Sequence, residues 1–114
     1  MRFTVTFVDE FEFGRFLDNI DTKMRAKILA NLENVELHGI FFSVDHLEDD
    51  INEFRVRHGS NIARICWAYD RYKRQVIIIT HGFVKKSQKT PKHEIEKAKR
   101  LLNDYQKKRG NEHA

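Results

Sequence analysis

Glu53, Arg55 and Arg57 stand two residues apart from one another, so a strand over that stretch would put all three on one face. Arg64, His81, Lys85, Lys86 and Lys89 follow downstream. Guanidinium and ammonium groups grip the non-bridging oxygens of a phosphate, and a histidine or a carboxylate can move protons near neutral pH. Brought together, this set could hold a phosphodiester and act on it. The bland alternative is a salt-bridge set on a solvated face, with Glu53 pairing one arginine.

The outcome depends on the elements that carry these residues. Asn52 to His58 alternates, Gly59-Ser60 is a hairpin turn signal, and Asn61 to Tyr69 is the second run. A two-residue loop there places Arg55 opposite Arg64 and Arg57 opposite Ile62. Asp70 to Lys73 turns the chain into Gln75 to Thr80, whose run Val76-Ile77-Ile78-Ile79 reads as a buried central strand. If that turn centres on Arg71-Tyr72, Ile79 lies beside Arg64 and His81 beside Ile62. One face then collects Phe54, Ile65 and Ile78, flanked by Trp67 and Val76, and is apolar. The other collects Glu53, Arg55, Arg57, Arg64 and His81, with Lys85 and Lys86 beyond the strand end. Two facing arginines repel unless an anion or Glu53 neutralises them, and a one-residue slip would scatter the cluster.

The remaining elements are plainer. Arg2 to Val8 alternates as a strand. Asp9 caps a helix presenting Phe13, Phe16, Leu17 and Ile20, and Asp21 caps another presenting Met24, Ile28, Leu32 and Val35 and stopping at Gly39. Ile40 to Asp50 reads as an irregular connection. After a lysine-rich loop, Thr90 caps and Pro91 opens a final helix with the stripe Ile95, Ala98, Leu101, Leu102 and Tyr105. Gly110 is its expected stop, leaving 111–114 as a frayed tail after one domain over 1–110. The order β-α-α-β-β-β-α gives an α+β domain, an antiparallel sheet with helices packed on one side.

Composition narrows the class. The chain has 114 residues, one core's worth, with 40% hydrophobic and 33% charged residues, which suits a globular fold rather than a disordered one. A single cysteine, Cys66, excludes an internal disulfide and a cysteine metal cage, and fits a reducing compartment. Met1-Arg2 leads directly into an alternating stretch, so no signal peptide, no membrane span and a cytoplasmic location are expected. The net charge of +4 is unevenly spread: residues 1–52 carry 5 basic and 11 acidic residues, and residues 53–109 carry 16 and 5. The basic second half suits a polyanion or an acidic protein partner. His46 with Asp45, Glu48 and Asp49 is a conceivable metal cluster but reads better as a solvated loop, and no H-E-x-x-H pattern is present. No metal or cofactor is expected.

Three pieces, Glu53-Phe54-Arg55, Ile62-Ala63-Arg64-Ile65 and His81-Gly82-Phe83-Val84-Lys85-Lys86, are followed by Lys89-Thr90-Pro91, Glu94-Ile95 and Ala98. In that order and spacing the chain resembles the RelE/ParE-superfamily toxins, and within them the HigB-like, phage-derived branch. Ala63 departs from the pattern, since relatives often carry an aromatic residue before the arginine. The resemblance implies the toxin of a type II toxin–antitoxin pair, a metal-free endoribonuclease that cuts messenger RNA, usually on the ribosome. It implies that Arg55 and Arg64 bind the scissile phosphate, that Lys85 stabilises charge, and that His81 and Glu53 serve proton transfer. Arg57, Lys86 and Lys89 would contact RNA. The partners implied are a helix-turn-helix antitoxin (HigA-like), messenger RNA and the ribosome. The alternatives are a gyrase-inhibiting ParE-like toxin and an inactive phage-derived binding module.

Overall fold

A computed structural model of the protein describes residues 2–39, 44–85 and 89–113. The chain runs β1 (Thr4–Phe7), α1 (Glu10–Asp18), α2 (Thr22–His38), β2 (Val44–Glu48), β3 (Ile51–His58), β4 (Asn61–Tyr69), β5 (Val76–Lys85) and α3 (Lys92–His113). The strands form one sheet in the order β1-β5-β4-β3-β2. The pairs from β2 to β5 are antiparallel, and β1 joins the β5 edge in parallel. The α+β class holds, with a mixed sheet.

Local chemistry sets the ends of α1 and α2. The Asp9 carboxylate accepts from the Glu12 amide at 3.0 Å, and that of Asp21 accepts from Lys23 at 2.9 Å. Gly39 closes α2 in the left-handed conformation (φ 70°), with the Phe3 ring packed against the space a side chain would need.

Helices cover both faces of the sheet, which corrects the one-sided packing expected from the sequence. The larger core lies under α1 and α2 and unites Phe13, Met24, Ile28, Leu32 and Val35 with Phe54, Val56, Ala63, Ile65, Trp67, Ile77 and Ile79. A smaller core of Ile51, Cys66, Phe83 and Ala98 lies under α3. The second face therefore carries the charged residues and is roofed by a helix.

The first hairpin has the expected register, Arg55 opposite Arg64 and Arg57 opposite Ile62. The second is shifted by four residues: Phe83, not Ile79, faces Arg64, and His81 faces Cys66. An even shift preserves faces, so His81 still shares one with Glu53 and Arg64. An irregularity between Cys66 and Trp67 then skips Thr80, which turns Ile77 and Ile79, rather than Ile78, toward Phe54 and Ile65.

Two further corrections concern the elements themselves. Val44–Glu48, expected to be irregular, forms edge strand β2, whose mostly exposed polar residues leave only Leu47 to signal burial. At the other end, α3 runs through Gly110 to His113 instead of stopping, so the expected frayed tail is mostly helical. The cause is Asp70. It is fully buried and accepts from Gln106 Nε2 at 3.0 Å, from Arg109 and from the Lys73 amide at 3.2 Å. The Tyr72 hydroxyl lies 2.7 Å from where a Cβ on Gly110 would stand, so glycine lets the loop sit against the helix.

Burial alone would raise the Asp70 carboxyl, but the hydrogen bonds from Arg109 and Gln106 outweigh it and hold it below the usual carboxylate range. A group depressed on folding stabilises above its unfolded pKa, roughly 3.9, and that contribution is lost as pH falls through the folded value. Asp70→Asn is therefore expected to flatten the acid limb of a stability–pH curve, measured by denaturant titration. An unchanged acid limb would remove Asp70 from this role.

Gly82 on β5 is also constrained. A Cβ there would lie 2.6 Å from Phe16 Cε2 and 2.9 Å from Ile65 Cδ1, both core rings or branches. Gly82→Ala is expected to destabilise the fold by about 1–3 kcal/mol through overpacking, read as a lower denaturation midpoint. A neutral substitution would show that Phe16 moves freely. Among the described residues, no helix is long and apolar enough to cross a membrane.

Candidate functional site

The charged face is organised around Glu53, whose side chain is wholly buried. Its Oε1 accepts from Arg55 Nε at 2.6 Å and from Arg64 Nη1 at 3.3 Å, and its Oε2 accepts from the Thr90 hydroxyl at 2.6 Å. Arg64 Nη1 also donates to Thr90 Oγ1 at 2.9 Å. Thr90 thus bridges both members of the buried pair. Its hydroxyl is turned into the sheet rather than capping α3, which begins at Lys92 with the Pro91 carbonyl accepting from the Glu94 and Ile95 amides.

The two arginines occupy different environments. Arg64 is 0% exposed, whereas the Arg55 side chain keeps 20% of its surface and lies 3.4 Å from Asp45 on β2 through the same Nε. Burial pulls the Arg64 guanidinium below its ordinary value, with Glu53 opposing and Arg55 adding to the shift. A buried cation of this kind needs its counter-charge, and Glu53 supplies it. Arg55 is fixed by Nε alone, and among the described residues its two Nη groups make no hydrogen bond. They are the free donors of the site.

Arg55 and Thr90 open onto a shallow groove of about 480 Å³, shared with Lys89, Leu47 and Ile95. Lys89, Lys85 and Arg57 are exposed; Lys85 sits at the end of β5 opposite Ile62, and Arg57 faces Ile62 from β3. The Asp45 carboxylate lines the same groove. Lys86 lies outside the described residues.

His81 stands apart. It shares a sheet row with Glu53 through Cys66, two strand spacings or roughly 10 Å away. It is 9% exposed and stacks on Phe83, their centroids 5.6 Å apart. Nε2 meets Glu94 Oε1 at 3.2 Å and Nδ1 meets Thr80 Oγ1 at 3.3 Å. Burial lowers its pKa, opposed by Glu94 and reinforced by Lys97 and Arg100, so the imidazole is neutral and donates from Nε2 to Glu94. Its groove is a different one, bordered by α1 and Lys97. Nε2 is engaged by Glu94, whereas the one Thr80 hydroxyl proton lies within reach of both the Cys66 carbonyl and Nδ1, at 3.3 Å each. Cys66, between the two sites, is held protonated because burial, Glu53 and Glu94 all raise its pKa.

A family profile described as phage derived protein Gp49-like (DUF891) matches residues 15–103, most of the chain. The protein belongs to this Gp49-like family. No curated protein matches it. Among solved structures it is similar to an arginine-to-alanine double mutant of the E. coli toxin RelE in the free state, with TM-score 0.62 and 14% identity over 90% of this chain and 99% of that one. It is also similar to the archaeal RelE–RelB complex from Pyrococcus horikoshii OT3, with TM-score 0.55 and 18% identity over 78% and 100%. The RelE-like fold expected from the sequence is thereby shown.

Of the residues singled out in this Gp49-like sequence, the structure brings Glu53, Arg55 and Arg64 into contact and sets Lys89 on their groove. His81 is not in that groove. Sequence reading missed Thr90 as a bridge, Asp45 as the second acid on Arg55, and Glu94 as the partner of His81. The Lys89-Thr90-Pro91 motif carried a signal for the first; nothing local pointed to Asp45, because β2 itself was unrecognised.

Among the described residues no three His, Cys, Asp or Glu side chains converge as metal ligands. His46 instead meets the Asp49 carbonyl at 2.6 Å, while Glu48 and Asp49 accept from Lys99 at 2.8 and 3.2 Å, tying the β2–β3 hairpin to α3.

Proposed function

We propose that the protein is the toxin of a type II toxin–antitoxin pair, a metal-free endoribonuclease that cuts messenger RNA on the ribosome and so acts in the cytoplasm. The observation that carries this reading is Arg55, held at Nε by Glu53 beside Asp45, with its Nη donors unbonded at a groove it shares with Lys89. A guanidinium held in this way is preorganised for the non-bridging oxygens of a phosphate. Gp49-like membership and the RelE fold support the class.

In this reading the ribose 2′-hydroxyl attacks the adjacent phosphorus and the 5′-oxygen leaves. Arg55 stabilises the charge that gathers on the phosphoryl oxygens, and Lys85 with Lys86 adds to it. Arg57 and Lys89 hold the flanking strand. Arg64 acts through Glu53: it fixes the carboxylate that orients Arg55. Proton transfer falls to Glu53 or His81 only if the buried network opens, so positioning and charge stabilisation carry most of the rate.

A RelE structure of the same fold is a complex with RelB, which supports an antitoxin partner here. We assign that partner to the helix-turn-helix, HigA-like type. The burial of Arg64 and of His81, whose Nε2 is held by Glu94, favours a second reading, a ParE-like toxin that inhibits gyrase by binding. Brief induction followed by mapping of transcript ends separates the two. New 5′ ends within translated messages support the nuclease; intact transcripts with gyrase-dependent DNA damage overturn it.

A further inference from the structure

A carboxylate is an unexpected lining for a groove that would hold a polyanion, and Asp45 supplies one. It lies on β2 opposite Glu53 and, among the described residues, is the only anionic side chain on the groove of Arg55 and Lys89. The side chain is 52% exposed, with Oδ2 3.4 Å from Arg55 Nε. Among the described residues neither of its oxygens accepts a hydrogen bond. An ionised carboxylate has about four acceptor positions and donates nothing. Beside a phosphate it repels, unless it is spent on a group that carries N–H donors.

The rest of the groove restricts what can reach it. Leu47 and Ile95 are half-buried and give it apolar walls. The Thr90 hydroxyl is committed to Glu53, and His46 Nε2 meets the Asp49 carbonyl at 2.6 Å. Arg55 and Lys89 can only donate. The volume of about 480 Å³ suits one small ligand, and a single unstacked base of a nucleic-acid strand is of that size. Arg55 Nε and the Nη pair lie on different edges of one guanidinium plane. A base on Asp45 and a phosphate on the Nη fork would therefore flank the same side chain.

The geometry points to a guanine-reading pocket: Asp45 accepts from N1–H and the 2-amino group of one guanine of single-stranded RNA, its rings between Leu47 and Ile95 and its phosphate on Arg55. Guanine alone among the four bases presents two adjacent N–H donors on its Watson–Crick edge. Adenine and cytosine each set an acceptor beside the amino group, and uracil offers one N–H between two carbonyls. An acceptor-only carboxylate is the complement of the guanine edge and of no other. The inference deepens the cleavage reading by naming the base selected, and it rests on that reading for the use of the groove by RNA.

Fluorescence anisotropy of the purified full chain tests it with short single-stranded oligouridylates. One carries a central guanine, and others carry adenine, cytosine or hypoxanthine (which lacks the 2-amino group) in its place. The guanine strand is expected to bind about tenfold more tightly than the adenine or all-uracil strands, with hypoxanthine between them. Asp45→Asn presents one donor and one acceptor, so it should erase the guanine preference and favour adenine. Asp18→Asn, at an exposed acid closing α1, should leave the order unchanged.

Equal affinity for every strand overturns the pocket, as does a guanine preference that survives Asp45→Asn. A uniform gain for all strands in Asp45→Asn makes Asp45 a counter-ion of Arg55 only, and failure to bind any strand leaves no pocket; both overturn it. Transcript-end mapping separates this inference from the reading beneath it. New ends with no guanine enriched beside the cut overturn the pocket and spare the nuclease. Guanine-selective, Asp45-dependent binding with no new ends keeps the pocket and overturns the nuclease.

Discussion

Glu53→Ala is expected to cost about 3–5 kcal/mol of folding stability, the loss typical of breaking a buried ion pair by removing one partner. The substitution leaves the Arg64 charge in place, 0% exposed, and removes the carboxylate it pairs with. It also strips Arg55 of its shortest contact and Thr90 of its acceptor. The double variant Glu53→Leu/Arg64→Met removes both charges at similar volume and should recover most of the loss, since apolar replacements of buried pairs are often neutral. Denaturant titration of both variants decides the matter. If Glu53→Ala were as stable as the parent, the pair would not be the keystone described above.

The second large effect is on activity. Arg55→Ala is expected to lower message cleavage about 10²–10³-fold, the usual consequence of losing one donor aimed at developing charge. Its fold should survive, because Arg55 is partly exposed and Glu53 retains Arg64 and Thr90. Arg55→Lys should recover little, since an ammonium cannot reproduce a fork clamped at Nε. Transcript-end mapping beside a denaturation curve checks both halves, and undiminished cleavage by folded Arg55→Ala would remove it from the chemistry. Arg64→Ala is the less informative substitution. From the sequence it reads as a clean active-site knockout, but its burial makes loss of folding the first consequence.

The difference between the two arginines shows where the sequence was legible and where it was not. Gly59, at φ 62°, makes a tight turn that fixes the β3–β4 register, so the Arg55–Arg64 pairing could be read directly from residue order. The β4–β5 connection was misjudged because its geometry is set by long-range bonds: Asp70 binds Gln106 and Arg109, and no local pattern announces that. The four-residue shift happened to be even, which is why His81 stayed on the right face while its neighbours changed.

The roof over the charged face was the larger omission. The α3 stripe of Ala98 and Leu102 was visible, but the sheet face it covers looked polar and hence solvated. Only the structure shows that a helix can pack on a face whose charges have already been satisfied among themselves.

That internal satisfaction has a consequence for how the chain finds its fold. The Arg55–Arg64 juxtaposition is tolerable only with Glu53 and Thr90 in place. A slip of β3 against β4 by two residues would keep every apolar side chain on its proper face, so hydrophobic burial alone would hardly detect it. A slip of this kind that set Arg57 rather than Arg55 opposite Arg64 would carry Arg64 away from Glu53 and strand a guanidinium beneath α3. The mismatch would be felt as an uncompensated buried charge, costing several kcal/mol. The network thus acts as a proofreader of strand alignment, rejecting near-native pairings that the oily core would accept.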